Sequence, residues 1–226
     1  MSDAGAKKTY LVKRLNGKVE ASETGGMETL SLQQWAGAEV LTDFAFPWSE
    51  LPAPATIFRA LWDDENFYFR FVVEDADVVM AEGADAKEMV VGSDRVEIFF
   101  TPGDDLDPYY ALEMDPRGVV LSYEARFHRR MDWSWCCPSL RLCPALTDSG
   151  YDVEGVIPLA TFRELACLHQ SERGLFLKAG LFRAEFSHGE GDAAVVKDWI
   201  SWVDPGGEVP DFHVPEAFGV LEFEGS

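Results

Sequence analysis

The sequence predicts an all-β protein, specifically an antiparallel β-sandwich of two packed sheets with one short helix. Three observations lead to this fold class. Short runs of β-branched and aromatic residues recur along the chain, Gly, Pro and Asp separate them as turn residues, and only one segment has helical periodicity. The 226 residues contain no fixed-period repeat. We therefore expect a mobile N-terminal tail at residues 1–8 and a single domain over residues 9–226.

Strands are predicted from the tail to the end of the chain. The clearest is 95–100 (RVEIFF), where alternation sends Val96 and Ile98 toward the core and Glu97 outward. By the same parity, Leu112 and Met114 point inward and Glu113 points outward in the next strand. The predicted strands are 9–15, 67–73, 95–100, 109–114, 119–125, 151–157, 175–186 and 218–223.

One helix is predicted, over residues 159–169. Pro158 stands at its entrance, and Leu159, Phe162 and Leu165 follow at the spacing of a helix face. A short helix between strands suits a sandwich better than a doubly wound parallel sheet, which needs a helix after nearly every strand.

Charge limits the classes of partner. The chain carries 19 Lys and Arg against 40 Asp and Glu, a net charge of −21. Nucleic-acid backbones and anionic membranes are bound through clusters of Lys and Arg, so neither is an expected partner. No apolar run is long enough to cross a bilayer.

The compartment predicted is the cytoplasm. The first residues, MSDAGAKKTYLVKRL, contain no apolar segment of the kind found in secretory leaders. The four cysteines, two of them adjacent, form no disulfide framework and no zinc spacing, so we interpret them as free thiols in a reducing compartment.

No catalytic motif is present, so catalysis is not the favoured prediction. The patterns of serine hydrolases, zinc proteases and nucleotide-binding loops are absent, and the four histidines lack ligand spacing. No cofactor is predicted. Two acidic segments, Glu74-Asp75-Asp77 and Asp104-Asp105-Asp107, could hold structural calcium. Because Asp also favours turn backbone, ordinary Asp-rich turns are the simpler interpretation and no metal site is assigned.

Aromatic residues give the strongest indication of function. The chain has seven tryptophans, most of them expected in the core, but Trp133, Trp135 and Phe212 lie in segments flanked by turn residues. A sugar packs its C–H face on an aromatic ring and bonds its hydroxyls to carboxylates and guanidinium groups. Aromatic side chains near acidic residues therefore indicate carbohydrate binding.

Seven segments occur in order along the chain: LWDDENFYFRFVVED, SDRVEIFFTP, YYALEMDPRG, YDVEGVIPL, GLFRAEF, WISWVDP and DFHVPEAFGVLEF. Together they resemble the family 9 carbohydrate-binding modules and their stand-alone relatives. The resemblance extends from about residue 8 to residue 224. It implies a sandwich that holds a sugar between two aromatic rings, with acidic, amide and Arg side chains around the hydroxyls and with structural calcium.

The resemblance also implies a set of ligand-binding residues on one face of the sandwich. Phe212 matches one ring of the aromatic clamp, whereas Val91 stands where the family has the other. Trp133 or Trp135 is predicted to supply the missing ring. The predicted ligand-binding residues are Phe212, Glu97, Glu113, Arg183, Glu185, Trp133 and Trp135.

The function predicted is non-catalytic binding of a mono- or oligosaccharide, accessory to glycan breakdown by a separate glycoside hydrolase. Two alternatives stay open. The chain is a small glycan-processing hydrolase with an acidic site, or it is a sandwich whose sugar site has been lost.

Overall fold

A computed structural model describes residues 7–17, 29–189 and 195–226. Most of the predicted N-terminal tail, residues 1–6, lies outside this part of the chain. Lys7 and Lys8 lie within it and contact the domain through ion pairs, Lys7 with Asp104 at 3.0 Å and Lys8 with Asp43 at 2.7 Å.

The described elements are strands connected by a few short helices, which agrees with the predicted all-β class. The strands are β1 (Thr9–Arg14), β2 (Thr56–Trp62), β3 (Asn66–Glu74), β4 (Arg95–Thr101), β5 (Tyr109–Met114), β6 (Val120–Arg126), β7 (Arg130–Asp132), β8 (Arg141–Thr147), β9 (Gly150–Pro158), β10 (Leu168–Ser171), β11 (Gly174–His188), β12 (Val195–Ser201) and β13 (Gly219–Phe223). The helices are α1 (Leu32–Trp35), α2 (Ala86–Val91), α3 (Leu159–Glu164) and a 3₁₀ turn at Pro215–Ala217.

The strands form a curled sheet whose two halves pack face to face, and this confirms the predicted sandwich. One half has the order β7-β6-β5-β4-β11-β13 and the other the order β2-β3-β9-β8, and β1 hydrogen-bonds to both. β10 and β12 add to β11. The described pairs are antiparallel except that β1 runs parallel to β13 and to β2. Since no hairpin turn connects β1 to either neighbour, its direction is not restricted to antiparallel.

The predicted helix is shorter in the structure, and other short helices accompany it. α3 ends at Glu164 because the backbone turns at Ala166, whose φ is 55°, and the following residues join β10. Ser31 caps α1 with a capping box and Asp85 caps α2. At four and six residues, these helices are too short for helical periodicity to reveal them. None of the described helices is long and apolar enough to cross a membrane.

The four cysteines are free thiols, as predicted. Cys136 and Cys143 are exposed, whereas Cys137 and Cys167 are buried. Burial raises the pKa of the Cys167 thiol to about 12. Cys167 therefore stays protonated and acts as an apolar packing residue.

The alternation in β4 and β5 is confirmed, but the outer face of these strands is covered. Val96, Ile98 and Leu112 belong to the core between the sheets, and Glu97 lies on the opposite face. That opposite face holds a second apolar cluster, which includes Phe99, Phe182 and Phe212. The prediction that Glu97 and Glu113 point away from the core is therefore correct, but the face to which they point is covered. Their exposed fractions are 2% and 6%.

Gly155 in β9 should tolerate no side chain, because Phe69 of β3 lies directly opposite it. A Cβ at Gly155 would lie 2.2 Å from the Phe69 ring and 2.8 Å from Leu142. We expect Gly155→Ala to lower the free energy of unfolding by about 1–3 kcal/mol through overpacking. Urea denaturation checks this. In a Phe69→Leu background the same substitution should cost less, and an equal cost in both backgrounds would contradict the contact.

Candidate functional site

A cavity of about 230 Å³ opens on the outer face of β4, β5 and β6. Its floor comes from the strands, and its walls come from the loop before β2, from α2, from the segment around β7 and from the loop before β13. The aromatic residues around it are Trp48, Tyr123, Trp133, Trp199, Phe212 and His213. The charged residues around it are Arg95, Glu97, Glu113, Arg129 and Asp211.

The floor of the cavity is built on Arg95, which the sequence analysis did not single out. Arg95 lies two residues before Glu97 on the same strand, so both side chains are on the outer face. Its Nε donates a hydrogen bond to Glu97 Oε1 at 2.8 Å and lies 2.8 Å from Glu113 Oε2. Glu97 and Glu113 are direct partners across β4 and β5. One guanidinium therefore holds two carboxylates in a fixed position.

The two carboxylates differ in their remaining partners. The Tyr123 hydroxyl donates to Glu113 Oε1 at 2.9 Å, whereas Glu113 Oε2 is buried and accepts no hydrogen bond from the described residues. Burial, and then repulsion from Glu113, raises the pKa of Glu97 to about 8. Glu97 therefore retains its proton near neutral pH, and the charge of Glu113 is balanced by Arg95.

A second polar group lies at the rim, around Asp211. Asp211 accepts hydrogen bonds from His128 Nε2 at 2.5 Å and from Arg129 Nη2 at 2.8 Å. Burial alone would raise the pKa of Asp211, but these hydrogen bonds lower it. Burial, and then the charge of Arg129, lowers the pKa of the neighbouring His213 to about 3, so its imidazole is neutral. Its Nδ1 lies 2.6 Å from the Tyr109 hydroxyl.

Phe212, predicted as one ring of the aromatic clamp, lines the cavity. It is buried, and its ring stacks on Phe182 with centroids 4.2 Å apart. Trp48 and Trp199 pack against it, with centroids at 5.7 and 5.6 Å. Neither tryptophan was among the predicted site residues. Trp48 also leaves its buried Nε1–H without an acceptor among the described residues.

Of the two tryptophans predicted to supply the missing ring, Trp133 is the one that lines the cavity. It lines the same cavity as Val91, is 46% exposed and packs on Tyr123 with centroids 4.9 Å apart. The Lys87 ammonium lies 3.7 Å from the centre of its ring. Trp135, the other predicted candidate, lies away from the cavity and packs against Tyr110 of the core.

Arg183 and Glu185 do not share the face of Glu97, so their predicted placement is wrong. In the register of β11 against β4, Phe182 is opposite Glu97 and Arg183 is opposite Val96. Arg183 is therefore on the inner face, where it is fully buried and donates hydrogen bonds to Thr56 Oγ1 at 3.2 Å and to the Glu74 carbonyl at 3.0 Å. Glu185 pairs with Arg183.

The two acidic segments differ in their fit to calcium. Asp104 is paired with Lys7 and Lys178, each at 3.0 Å, and Asp107 with Arg126 and Arg130. These cations already neutralise the segment, so it does not fit a metal ion. From the other segment, Asp75 lies in a cluster of carboxylates with Asp94 and Glu185, whose ligand atoms are within 4.8 Å of one another. Oxygen donors of this type suit calcium.

Comparison with known families assigns the chain to one group of proteins. The sequence model of the family described as carbohydrate family 9 binding domain-like matches residues 31–226. The chain belongs to this family. A search of curated proteins finds no match.

Solved structures of family 9 modules and of a related protein share the fold. A protein from Bacteroides uniformis, described as a candidate carbohydrate-binding protein, is 22% identical with a TM-score of 0.71, over 97% of this chain and 100% of the other. A family 9 module from Caldicellulosiruptor kristjanssonii, solved with glucose, is 15% identical with a TM-score of 0.59, over 97% of each chain. A structure from the same organism with cellotriose is 17% identical with a TM-score of 0.56, over 97% and 95%.

The raised pKa of Glu97 predicts a specific dependence of stability on pH. Folded Glu97 keeps its proton up to about pH 8, whereas an unperturbed carboxyl loses it near 4.5. The free energy of unfolding should therefore decline as pH rises through this window, by at most about 1.4 kcal/mol per pH unit from this group. Glu97→Gln should remove that part of the slope in urea titrations at several pH values.

The matched control is Glu82→Gln, because the Glu82 side chain is 96% exposed. It should leave the pH slope of the free energy of unfolding unchanged. Parallel profiles for the wild type and Glu97→Gln would show instead that Glu97 is ionised in the folded protein.

Proposed function

We propose that this protein binds a neutral sugar ring in the cavity over Arg95 and performs no chemistry on it. The observation that carries the proposal is the combination of aromatic walls with a fixed polar floor. Trp48, Trp133 and Trp199 offer ring surface, and the floor places Arg95 between Glu97 and Glu113. A pyranose needs both, because its C–H faces are apolar and its hydroxyls are polar.

Buried polar atoms that lack a hydrogen bond support a hydroxyl-bearing ligand. Glu113 Oε2 is ion-paired with Arg95 Nε at 2.8 Å but receives no hydrogen bond from the described residues, and the buried Trp48 Nε1–H has no acceptor among them. A sugar hydroxyl donates one hydrogen bond and accepts others, so hydroxyl groups can satisfy both kinds of atom. A buried polar atom that lacks a hydrogen bond is costly, and a ligand that supplies the bond gains part of that free energy.

Charge and size support a small neutral ligand. With Glu97 protonated, Arg95 balances Glu113, and Arg129 balances Asp211 at 2.8 Å. A charged ligand would add a charge that no residue of these two ion pairs compensates. The cavity of about 230 Å³ is smaller than the roughly 300–1,000 Å³ typical of sites for drug-sized ligands. One sugar ring, at the end of a glycan or alone, matches that size.

Relatives of known structure bind ligands of this class. Family 9 modules from Caldicellulosiruptor kristjanssonii were solved with glucose and with cellotriose. We extend the binding of neutral sugars from these proteins to this chain. We further propose an accessory role, in which the protein delivers a glycan to a separate glycoside hydrolase. Adding the protein should then raise the rate at which such an enzyme degrades a polymeric substrate.

Trp133→Ala should weaken sugar binding, since it removes an exposed ring without opening the core. The expected loss is roughly 0.5–1.5 kcal/mol, or about two- to tenfold in affinity. Calorimetric titration with glucose, cellobiose and cellotriose measures it. Leu146→Ala is the control, because Leu146 is exposed on β8 in the other half of the sandwich. If the wild type, Trp133→Ala and Leu146→Ala have equal affinities, the sugar binds outside this cavity. If no neutral sugar gives heat with the wild type, the alternative of a sandwich whose sugar site has been lost is favoured.

Val91→Trp should strengthen binding. Val91 ends α2, is 40% exposed and lines the cavity, so a larger side chain there can reach a bound ring. A second aromatic face adds roughly 0.5–1.5 kcal/mol to a stacked contact. The expected gain is about two- to tenfold in the same titrations. Val40→Trp, at another exposed valine outside the cavity, should leave affinity unchanged.

A hydrolase remains the second candidate, and one observation favours it. Glu97 with a raised pKa stands beside Glu113, as a general acid stands beside a nucleophile in retaining glycosidases. Arg95 contacts both carboxylates at 2.8 Å. A carboxylate paired with a guanidinium is a weaker nucleophile, so this contact counts against covalent catalysis. Prolonged incubation with cellotriose separates the two functions, because only a hydrolase releases glucose.

A further inference from the structure

One side chain connects two walls of the cavity over Arg95. These walls carry Val91, the last residue of α2, and Trp133, which follows β7. Lys87 lies four residues before Val91 in α2, so both side chains are on the same face of the helix. From that face the Lys87 ammonium reaches Trp133 and lies over its ring, 3.7 Å from the centre. The two walls are therefore in contact through Lys87.

The contact between Lys87 and Trp133 lies on the solvent side of the cavity. Lys87 is exposed, and Trp133 is 46% exposed. The buried Tyr123 packs against the same ring with centroids 4.9 Å apart. A sugar that stacks on a ring face places its carbon atoms about 4 Å from the ring carbons. The Lys87 ammonium fills that space, so it and a sugar cannot occupy the same face of Trp133.

The Lys87 ammonium is held by this one contact among the described residues. No described carboxylate lies within ion-pair distance of it. Its neighbour Glu88 instead accepts the Ala84 N–H at 2.9 Å. A cation over an exposed ring is held weakly, because water solvates the ammonium when it leaves. The flexible stem of lysine also lets the ammonium move away while α2 keeps its position.

We propose that Lys87 limits the affinity of the cavity for sugar, because its ammonium competes with the sugar for the ring of Trp133. This role rests on the sugar binding proposed above. Without a ligand, Lys87 stays over Trp133 and connects α2 to the segment after β7. A sugar that stacks on Trp133 has to displace the ammonium. The apparent affinity is therefore lower than the affinity of a cavity in which this ring is uncovered.

The competition involves one of the three tryptophans of the cavity. Trp48 and Trp199 also line it, and the Arg95 guanidinium lies 5.5 Å from the centre of the Trp199 ring. Lys87 lies over the ring of Trp133. Its effect on affinity should therefore disappear when Trp133 is replaced. A long-range effect of the lysine charge on the whole cavity would persist in that background.

The test is calorimetric titration with glucose and with cellobiose of the wild type, Lys87→Ala, Trp133→Ala and the double variant. Lys87→Ala should raise the affinity about two- to fivefold, which corresponds to the loss of one exposed cation–π contact. In the Trp133→Ala background the same substitution should leave the affinity unchanged. Lys87 is exposed and alanine favours helix, so the variant keeps the fold.

Two control variants separate this role from a general effect of charge. Lys7→Ala also removes one positive charge, at a lysine that pairs with Asp104 in the loop after β4, and should leave the affinity unchanged. Lys87→Arg keeps a cation that stacks on aromatic rings, so it should not raise the affinity.

Two results would overturn the proposal. One is a Lys87→Ala variant that binds both sugars no more tightly than the wild type does. The other is an equal gain in affinity with and without Trp133. Both leave the sugar site itself in place, because the wild type then still gives heat. If neither the wild type nor Lys87→Ala gives heat with either sugar, the proposed sugar binding is wrong, and the role of Lys87 is wrong with it.

Discussion

The register of β11 against β4 is the constraint on which both the cavity and the carboxylate cluster depend. In this register Phe182 lies opposite Glu97 and Arg183 lies opposite Val96. Neighbouring residues of β11 therefore point to opposite faces of the sheet. Phe182 supports Phe212 under the cavity over Arg95, and Arg183 supports the carboxylates between the sheets. A slip of one residue would bring a guanidinium against the apolar cavity wall and a phenyl ring into the charged cluster. Burial on both faces makes that slip prohibitively costly.

Much of the fold follows from local sequence patterns, because strands with one apolar face reveal their parity. β4 and β5 show this: the predicted directions of Glu97 and Glu113 agree with the structure. The sequence of β11 does not reveal which of its residues face the core. Most of its central residues are buried on both faces, so its polar residues do not mark the solvent side. Which residues of β11 point to each face then depends on its register against the neighbouring strands, and tertiary contacts set that register. That is why Arg183 and Glu185 were assigned to the wrong face.

The cover over the outer face was harder to foresee, although one signal existed. Phe99 alternates with Ile98 and therefore points outward with Glu97, and a phenyl ring at an outward position indicates that something packs over it. Which loops supply the cover cannot be read from local patterns. Trp48 and Asp211 are more than 150 residues apart in the chain yet border the same cavity. Arg95, by contrast, could have been found by parity alone.

The position of β1 has a consequence for synthesis of the chain on the ribosome. β1 is the first of the described strands to emerge, and its partner β13 comes about 200 residues later. At roughly 5–20 residues per second, β1 waits about 10–40 s for the strand that completes it. During that interval Tyr10 and Val12, which are buried in the finished sandwich, have no permanent cover. Co-translational chaperones therefore have a long window in which to meet the nascent N-terminal segment.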